Sequence, residues 1–351
     1  MQTGITVHEL AAKLKANKGS KRDFLVNTTQ LRMTDEDGTL ALRLRDPEKR
    51  DFFNFPVQDH PHRQIADRLK IPQAYYERMR TTAPSLLVHD VNYWFKATEE
   101  TRMVRTLGGN ARAFLSDRYN RIDNEDIAEV AIPILMNIPD CKIISCEVTD
   151  RRMYIQAVTP RTQGEVKKGD IVQAGVIIGN SEIGSGALYV SEMDYRLECL
   201  NGMVSGKLMR QHHVGRQIED NAALWAEDTR KADDRAILLK MRDMVSAAVD
   251  ASRFRDRLGK MKGLAAAPIK GNPVKTVELL TQKLDLTEAE GGSILNALIK
   301  GTDLSAWGVL NAVTAQAHTA ASYDRSVELE QAGGTLLDLP VGEWNRMLEA
   351  A

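Results

Sequence analysis

Asp170-Ile171-Val172-Gln173-Ala174-Gly175-Val176-Ile177-Ile178 leads through Asn180-Ser181-Glu182-Ile183-Gly184-Ser185-Gly186 into Ala187-Leu188-Tyr189-Val190-Ser191-Glu192-Met193-Asp194-Tyr195-Arg196-Leu197-Glu198-Cys199. Two runs rich in Val, Ile and Tyr, joined by a polar connection with glycines, read as a pair of long strands. Immediately upstream, Lys142 to Val148 and Arg152 to Val158 flank a turn at Thr149-Asp150 and add a hairpin. The centre of the chain is therefore expected to be a sheet. In this reading Asn201-Gly202 closes the last strand, and Lys207 to Arg216 opens a helical remainder.

Toward the N-terminus, Leu25 to Met33 and Thr39 to Leu44 flank Asp35-Glu36-Asp37-Gly38 and predict a hairpin with one buried face. His62 to Arg80 carries helical spacing at Ile65, Leu69 and Tyr76, and Ile71-Pro72 divides it into two helices. Val91 to Lys96, Thr101 to Leu107 and Ala111 to Leu115 read as short strands. A helix is expected from Asn124 to Met136, with Ile127, Val130, Ile132 and Leu135 as its apolar stripe.

Beyond the sheet, Glu219 to Leu258 has the composition of extended helix, and Gly271-Asn272-Pro273 marks a boundary. Thr287 with Glu290 forms a capping box, and Leu304 to Ala320 repeats apolar residues at helical spacing. The expected fold class is α+β: a mixed or antiparallel central sheet with a long hairpin packed by helices, then a helical C-terminal region. The expected divisions are an N-terminal helix at 1–19, an α+β core at 20–218, a long helical segment at 219–270 and a small helical domain at 271–351.

With 351 residues, 43% hydrophobic and 27% charged, the composition is that of a globular chain and excludes wholesale disorder. A formal charge of -1 excludes a uniformly basic coat but allows basic patches. Cys141, Cys146 and Cys199 are odd in number and form no CxxC pair, so a disulfide framework and zinc-finger spacing are both missing. No run approaches the roughly 18 apolar residues of a membrane span, and no signal peptide is apparent. A cytoplasmic protein in a bacterial host, without membrane partners, is the expectation.

No nucleophile elbow, P-loop, HExxH or GxGxxG signature occurs, so no catalytic residue, cofactor or metal ligand is assigned and an enzyme is not expected. Charge segregation is more informative. Arg102, Arg105, Arg112, Arg118 and Arg121 meet only Asp117, a local charge of +4. Arg196, Lys207, Arg210 and Arg216 meet only Glu198, with His212 and His213 beside them. A third basic stretch runs from Arg253 to Lys262. Phe114, Tyr119 and Tyr195 interleave with the first two. Guanidinium groups neutralise phosphates and rings stack on bases, which suits single strands.

Arg112-Ala113-Phe114-Leu115-Ser116-Asp117-Arg118-Tyr119, the Asn180 to Leu188 loop, Tyr195-Arg196-Leu197 with Cys199 and Asn201-Gly202-Met203, and Trp307-Gly308-Val309-Leu310-Asn311-Ala312-Val313-Thr314 resemble a phage- and plasmid-encoded family. That family is catalogued as phage/plasmid-like proteins with a domain of unknown function, and the similarity spans most of the chain. At fold level the order of strands, long hairpin and helix is similar to single-strand annealing proteins of the Red-beta, Erf and Sak kind. That second resemblance implies ATP-independent pairing of single-stranded DNA by a homo-oligomeric ring or filament, and transfers no residue role.

The residue-level expectation is that Arg102, Arg105, Arg112 and Arg118 hold phosphates, with Arg196 also at the nucleic-acid interface. Phe114, Tyr119 and Tyr195 stack bases, and Lys207, Arg210 and Arg216 extend the groove. Whether the Asn180 to Gly186 loop meets nucleic acid or a neighbouring subunit is left open. The competing readings are a phage structural or interaction protein and a hydrolase without a sequence signature.

Overall fold

Residue Thr6 caps the first helix, α1 (Val7–Ser20), through a capping box in which its side chain and that of Glu9 satisfy each other's backbone donors. A computed structural model describes residues 1–45, 51–212 and 227–351. Strand β1 (Lys21–Asn27) ends where the Asn27 side chain caps a tight turn, Thr28–Gln30. That turn sends β2 (Arg32–Glu36) and β3 (Thr39–Arg45) into a different sheet. The expected hairpin is therefore β2–β3 alone, and β4 (Phe52–Pro56) joins it as a third strand.

Helices α2 (Asp59–Arg68) and α3 (Gln73–Thr82) flank Ile71-Pro72 as the proline dictates. The expected strand at Val91 to Lys96 is instead part of α4 (Pro84–Ala97). Pro84 occupies the first turn, where a missing N–H is harmless, and Leu87, Val91 and Phe95 at four-residue spacing bury one helix face. Tertiary burial overrides local strand propensity there. Strands β5 (Thr101–Leu107) and β6 (Asn110–Ser116) complete the sheet β1–β5–β6. Phe24, Leu42, Phe55, Ile65, Tyr76, Phe95 and Phe114 share the core of this N-terminal half.

After α5 (Asn124–Asn137) comes an antiparallel meander of β7 (Lys142–Val148), β8 (Met153–Lys167), β9 (Asp170–Asn180), β10 (Leu188–Arg196) and β11 (Asn201–Gln211). Residues Lys207 to Gln211, expected to be helical, are strand. Leu200 adopts a positive φ, so the chain turns tightly after β10 and pairs back with Tyr195 opposite Gly202. Gly206 also has a positive φ, beside the irregular register at Val190 to Glu192. Residues 213–216 lie outside the described residues.

The expected long helix resolves into α6 (Glu227–Ala248) and α7 (Ala251–Ala265), because the Asp250 side chain accepts from Ser252 and Arg253 and restarts the helix. Then follow α8 (Pro273–Lys283), α9 (Glu288–Gly301) with the expected Thr287/Glu290 box, α10 (Ala306–Ala315), α11 (Tyr323–Leu337) and α12 (Val341–Leu348). The fold is α+β, with antiparallel sheets and a helical C-terminal region.

Alternation along the meander shows that both its faces are covered. Met153, Ile155, Ala157, Val176 and Ile178 share a core with Leu10 of α1, Ile127 of α5 and Met241 of α6. The intervening Tyr154 and Ile177 meet Tyr323 and Val327 of α11. Helix α11 lies close against β11: a Cβ on Gly334 would collide with the Val204 carbonyl oxygen. Val166, Val172 and Met203 of the meander share another core with Phe254, Trp307 and Leu336 of the C-terminal helices. Arg257 of α7 joins this face through Asp194, at 2.9 Å, and Glu192, at 2.8 Å, both on β10.

Glu330 of α11 is wholly buried, and its Oε2 accepts from Gln156 Nε2 at 2.8 Å. Burial pushes its carboxyl up to about 7, opposed by the N-terminal ammonium and the Gln156 hydrogen bond. The folded state thus binds this proton more tightly than the unfolded chain. Its contribution to stability is fully present below the ordinary value of 4.5 and is lost as pH rises through about 7. Urea titrations between about pH 5 and 8 should therefore show a falling wild-type midpoint, and Glu330→Gln should flatten that fall.

Candidate functional site

Antiparallel pairing of β5 with β1 and β6 sets Arg105 opposite both Asp23 and Ala113. Its guanidinium, 1% exposed, is fully engaged: Nε to Asp23 at 2.9 Å, Nη2 to Asp123 at 2.7 Å and Nη1 to the Glu182 carbonyl at 2.8 Å. Burial disfavours its charge, yet Asp123 and Asp23 outweigh burial and hold the proton more tightly than usual.

The Glu182 carboxylate is the neighbouring hub. It takes Arg112 Nη2 at 2.6 Å, Lys21 Nζ at 2.6 Å and the Asn124 backbone N–H at 2.7 Å. Burial works against this charge, but Arg112 and Lys21 overcome it and lower the carboxyl to about 2. Lys21 Nζ also meets Glu125 Oε2 at 2.6 Å, while Glu125 Oε1 is buried without a hydrogen-bond partner among the described residues. Asp126, one turn into α5, is shifted upward by burial and by Asp123.

Lys21, Asp23, Arg105, Asp123, Glu125 and Asp126 line an open cavity of about 280 Å³ between β1 and the start of α5. Asp123, Glu125 and Glu182 each bring an oxygen within 4.8 Å of the others, a spacing that suits a cation. The chain supplies one itself, because the Lys21 ammonium lies between Glu125 and Glu182.

The expected nucleic-acid residues therefore divide. Arg105 and Arg112 are buried ion-pair partners, and Phe114, 1% exposed, belongs to the core with Arg102 stacked 5.0 Å over its ring. These are corrections: two phosphate ligands and one stacking ring of the sequence reading face inward, where a strand has no access. Arg102 is itself half-buried, with Glu100 3.9 Å away. Tyr119 donates to the Ser181 carbonyl and accepts from Gly184 N–H, and burial raises its phenol well above the usual range. Tyr195 is half-buried on β10 and also raised by burial.

Arg196 pairs with Asp170 at 2.6 Å and with Glu198. Arg118, Lys207 and Arg210 are exposed. Arg216 lies outside the described residues. The Asn180 to Gly186 loop spends its polar groups inside the chain: Gln64 donates to the Ile183 carbonyl and Arg152 to that of Ser185.

Four aromatic side chains among the described residues are exposed, and the sequence reading selected none of them. Phe52 is 59% exposed, Tyr75 46%, Tyr93 60% and Trp94 42%. All lie between residues 52 and 94, in the N-terminal half. Asn92 of α4, the residue before Tyr93 and Trp94, bonds both the N–H and the carbonyl of Met33 at 2.8 Å and ties this helix to β2. A signal existed in the alternation of Leu40, Leu42 and Leu44 with Arg43 and Arg45, which marks a solvent face.

No family model, curated protein or solved structure matches the chain. Among the described residues no helix is long and apolar enough to cross a membrane.

Glu182→Gln keeps the side chain's size but leaves Arg112 buried without its counter-charge, so it should cost about 3–5 kcal/mol of stability in denaturant titration. Glu182 has a depressed folded pKa, so its contribution is present above the ordinary value of 4.5 and lost as pH falls through about 2. The gap between wild type and variant should close over that window.

Proposed function

We propose that the protein binds single-stranded DNA and promotes its pairing with a complementary strand, without ATP and as an assembly of several copies. The observation that carries this reading is the concentration of exposed rings: Phe52, Tyr75, Tyr93 and Trp94 all belong to one half of the molecule. Exposed aromatic faces are costly to leave in water, and bases stack on them irrespective of sequence. Arg32, Arg43 and Arg45 lie on the β2–β3 pair of the same half and supply positive charge.

Pairing needs no covalent step, only backbone charge neutralised while base edges stay accessible. Self-assembly would multiply weak contacts along a strand. An interaction protein without a nucleic-acid role would use the same rings against another protein surface, so the two readings differ in what binds.

Titration of a fluorescent single strand should show binding at low salt that weakens steeply with added salt, by about 0.7 logarithmic units per logarithmic unit of salt for each phosphate contact. Light scattering of the same samples should give a mass above that of one chain. Absence of binding at low salt overturns the proposal.

A further inference from the structure

The β2–β3–β4 sheet buries Met33, Leu40, Leu42, Leu44 and Phe55 on one face. Strand alternation turns the residues between them to the other. The register places Arg32 of β2 opposite Arg43 of β3, and Arg43 opposite Asn54 of β4; two residues along, Arg45 stands opposite Phe52. Arg43 reaches diagonally over the Phe52 ring, its guanidinium carbon 4.8 Å from the centroid.

Like charges placed directly opposite one another destabilise a sheet unless something offsets them. Among the described residues neither Arg32 nor Arg43 pairs with a carboxylate. Arg32 donates to the carbonyls of Thr29 and Leu31, and Glu36, the acid on this face, bonds the Asn54 amide instead. This contrasts with Arg105, Arg112 and Arg257, each of which meets a carboxylate. The face thus combines two arginines that meet no carboxylate among the described residues with a ring that is 59% exposed. A polyanion that carries flat apolar groups at intervals complements both features, and a single-stranded nucleic acid is such a chain.

We infer that the outward face of the β2–β3–β4 sheet is the strand-binding surface, where Arg32 and Arg43 take phosphate oxygens and Phe52 stacks a base. This rests on the reading that the protein binds single strands, and it moves the contact surface away from the Arg105–Arg112 cluster.

The test uses the full chain and a labelled oligothymidylate. Arg32→Gln with Arg43→Gln should weaken binding and reduce the salt slope by about 1.4, two phosphate contacts at about 0.7 each. Phe52→Ala should weaken binding by a factor of about 5 to 150, one stacked base, with the slope unchanged. Lys300→Gln with Arg346→Gln, exposed changes in the C-terminal helices, should leave both unaltered. Because Arg32 also bonds backbone carbonyls, Arg43→Gln alone provides a variant at a position where folding does not depend on such bonds, and thermal melting verifies it.

Wild-type binding combined with unchanged affinity and slope in folded Arg43→Gln and Phe52→Ala overturns this surface alone. Failure of the wild type to bind overturns the functional reading and the surface with it.

Discussion

A carboxylate that is 3% exposed and still charged holds the two halves of this molecule together. Glu182 leaves the end of β9 and receives Lys21 from β1, Arg112 from β6 and the first backbone N–H of α5. Removing one charge from water costs several kcal/mol, so such a group is stable only when its partners arrive in fixed positions. That requirement dictates how the β1–β5–β6 sheet sits against the meander. It also explains why the loop from Asn180 to Gly186 is docked inward, since its Ile183 and Ser185 carbonyls are needed as acceptors by Gln64 and Arg152.

A second charge cluster acts on the meander itself. Arg257 and Arg253 of α7 meet Glu192 and Asp194 of β10, and Ser205 of β11 donates to Asp194 at 2.8 Å. Helix α7 is thereby tied to two adjacent strands. With α11 on the opposite face, anchored by Glu330, Gln156 and the contact of Tyr154 with Asp324, the five strands present little free surface. The meander is scaffold, and the exposed aromatic rings among the described residues lie in the N-terminal half.

The sequence by itself determined the antiparallel centre, because runs such as Val172 to Ile178 and Leu188 to Tyr195 admit little besides buried strand. It also determined the helix start at Thr287 and the break at Pro72, because capping and proline chemistry act over three or four residues. Where the chain had a local alternative, only the tertiary structure decided. Val91 to Phe95 has strand-forming residues, but their four-residue spacing with Leu87 found an apolar surface to cover and became helix. Asn201-Gly202 reads locally as an end and is instead the start of β11, which a turn at 197–200 folds back against β10. The candidate site was least legible: Arg105 and Arg112 look like surface cations because their counter-charges, Asp23, Asp123 and Glu182, lie from 18 to 82 residues away in the chain, as the contacts of Arg105 with Asp23 show for the longest span. Net charge in a window counts neighbours along the chain, whereas electrostatic energy depends on neighbours in space. That is why the clusters were visible in the sequence and their direction, inward or outward, was set only by the fold.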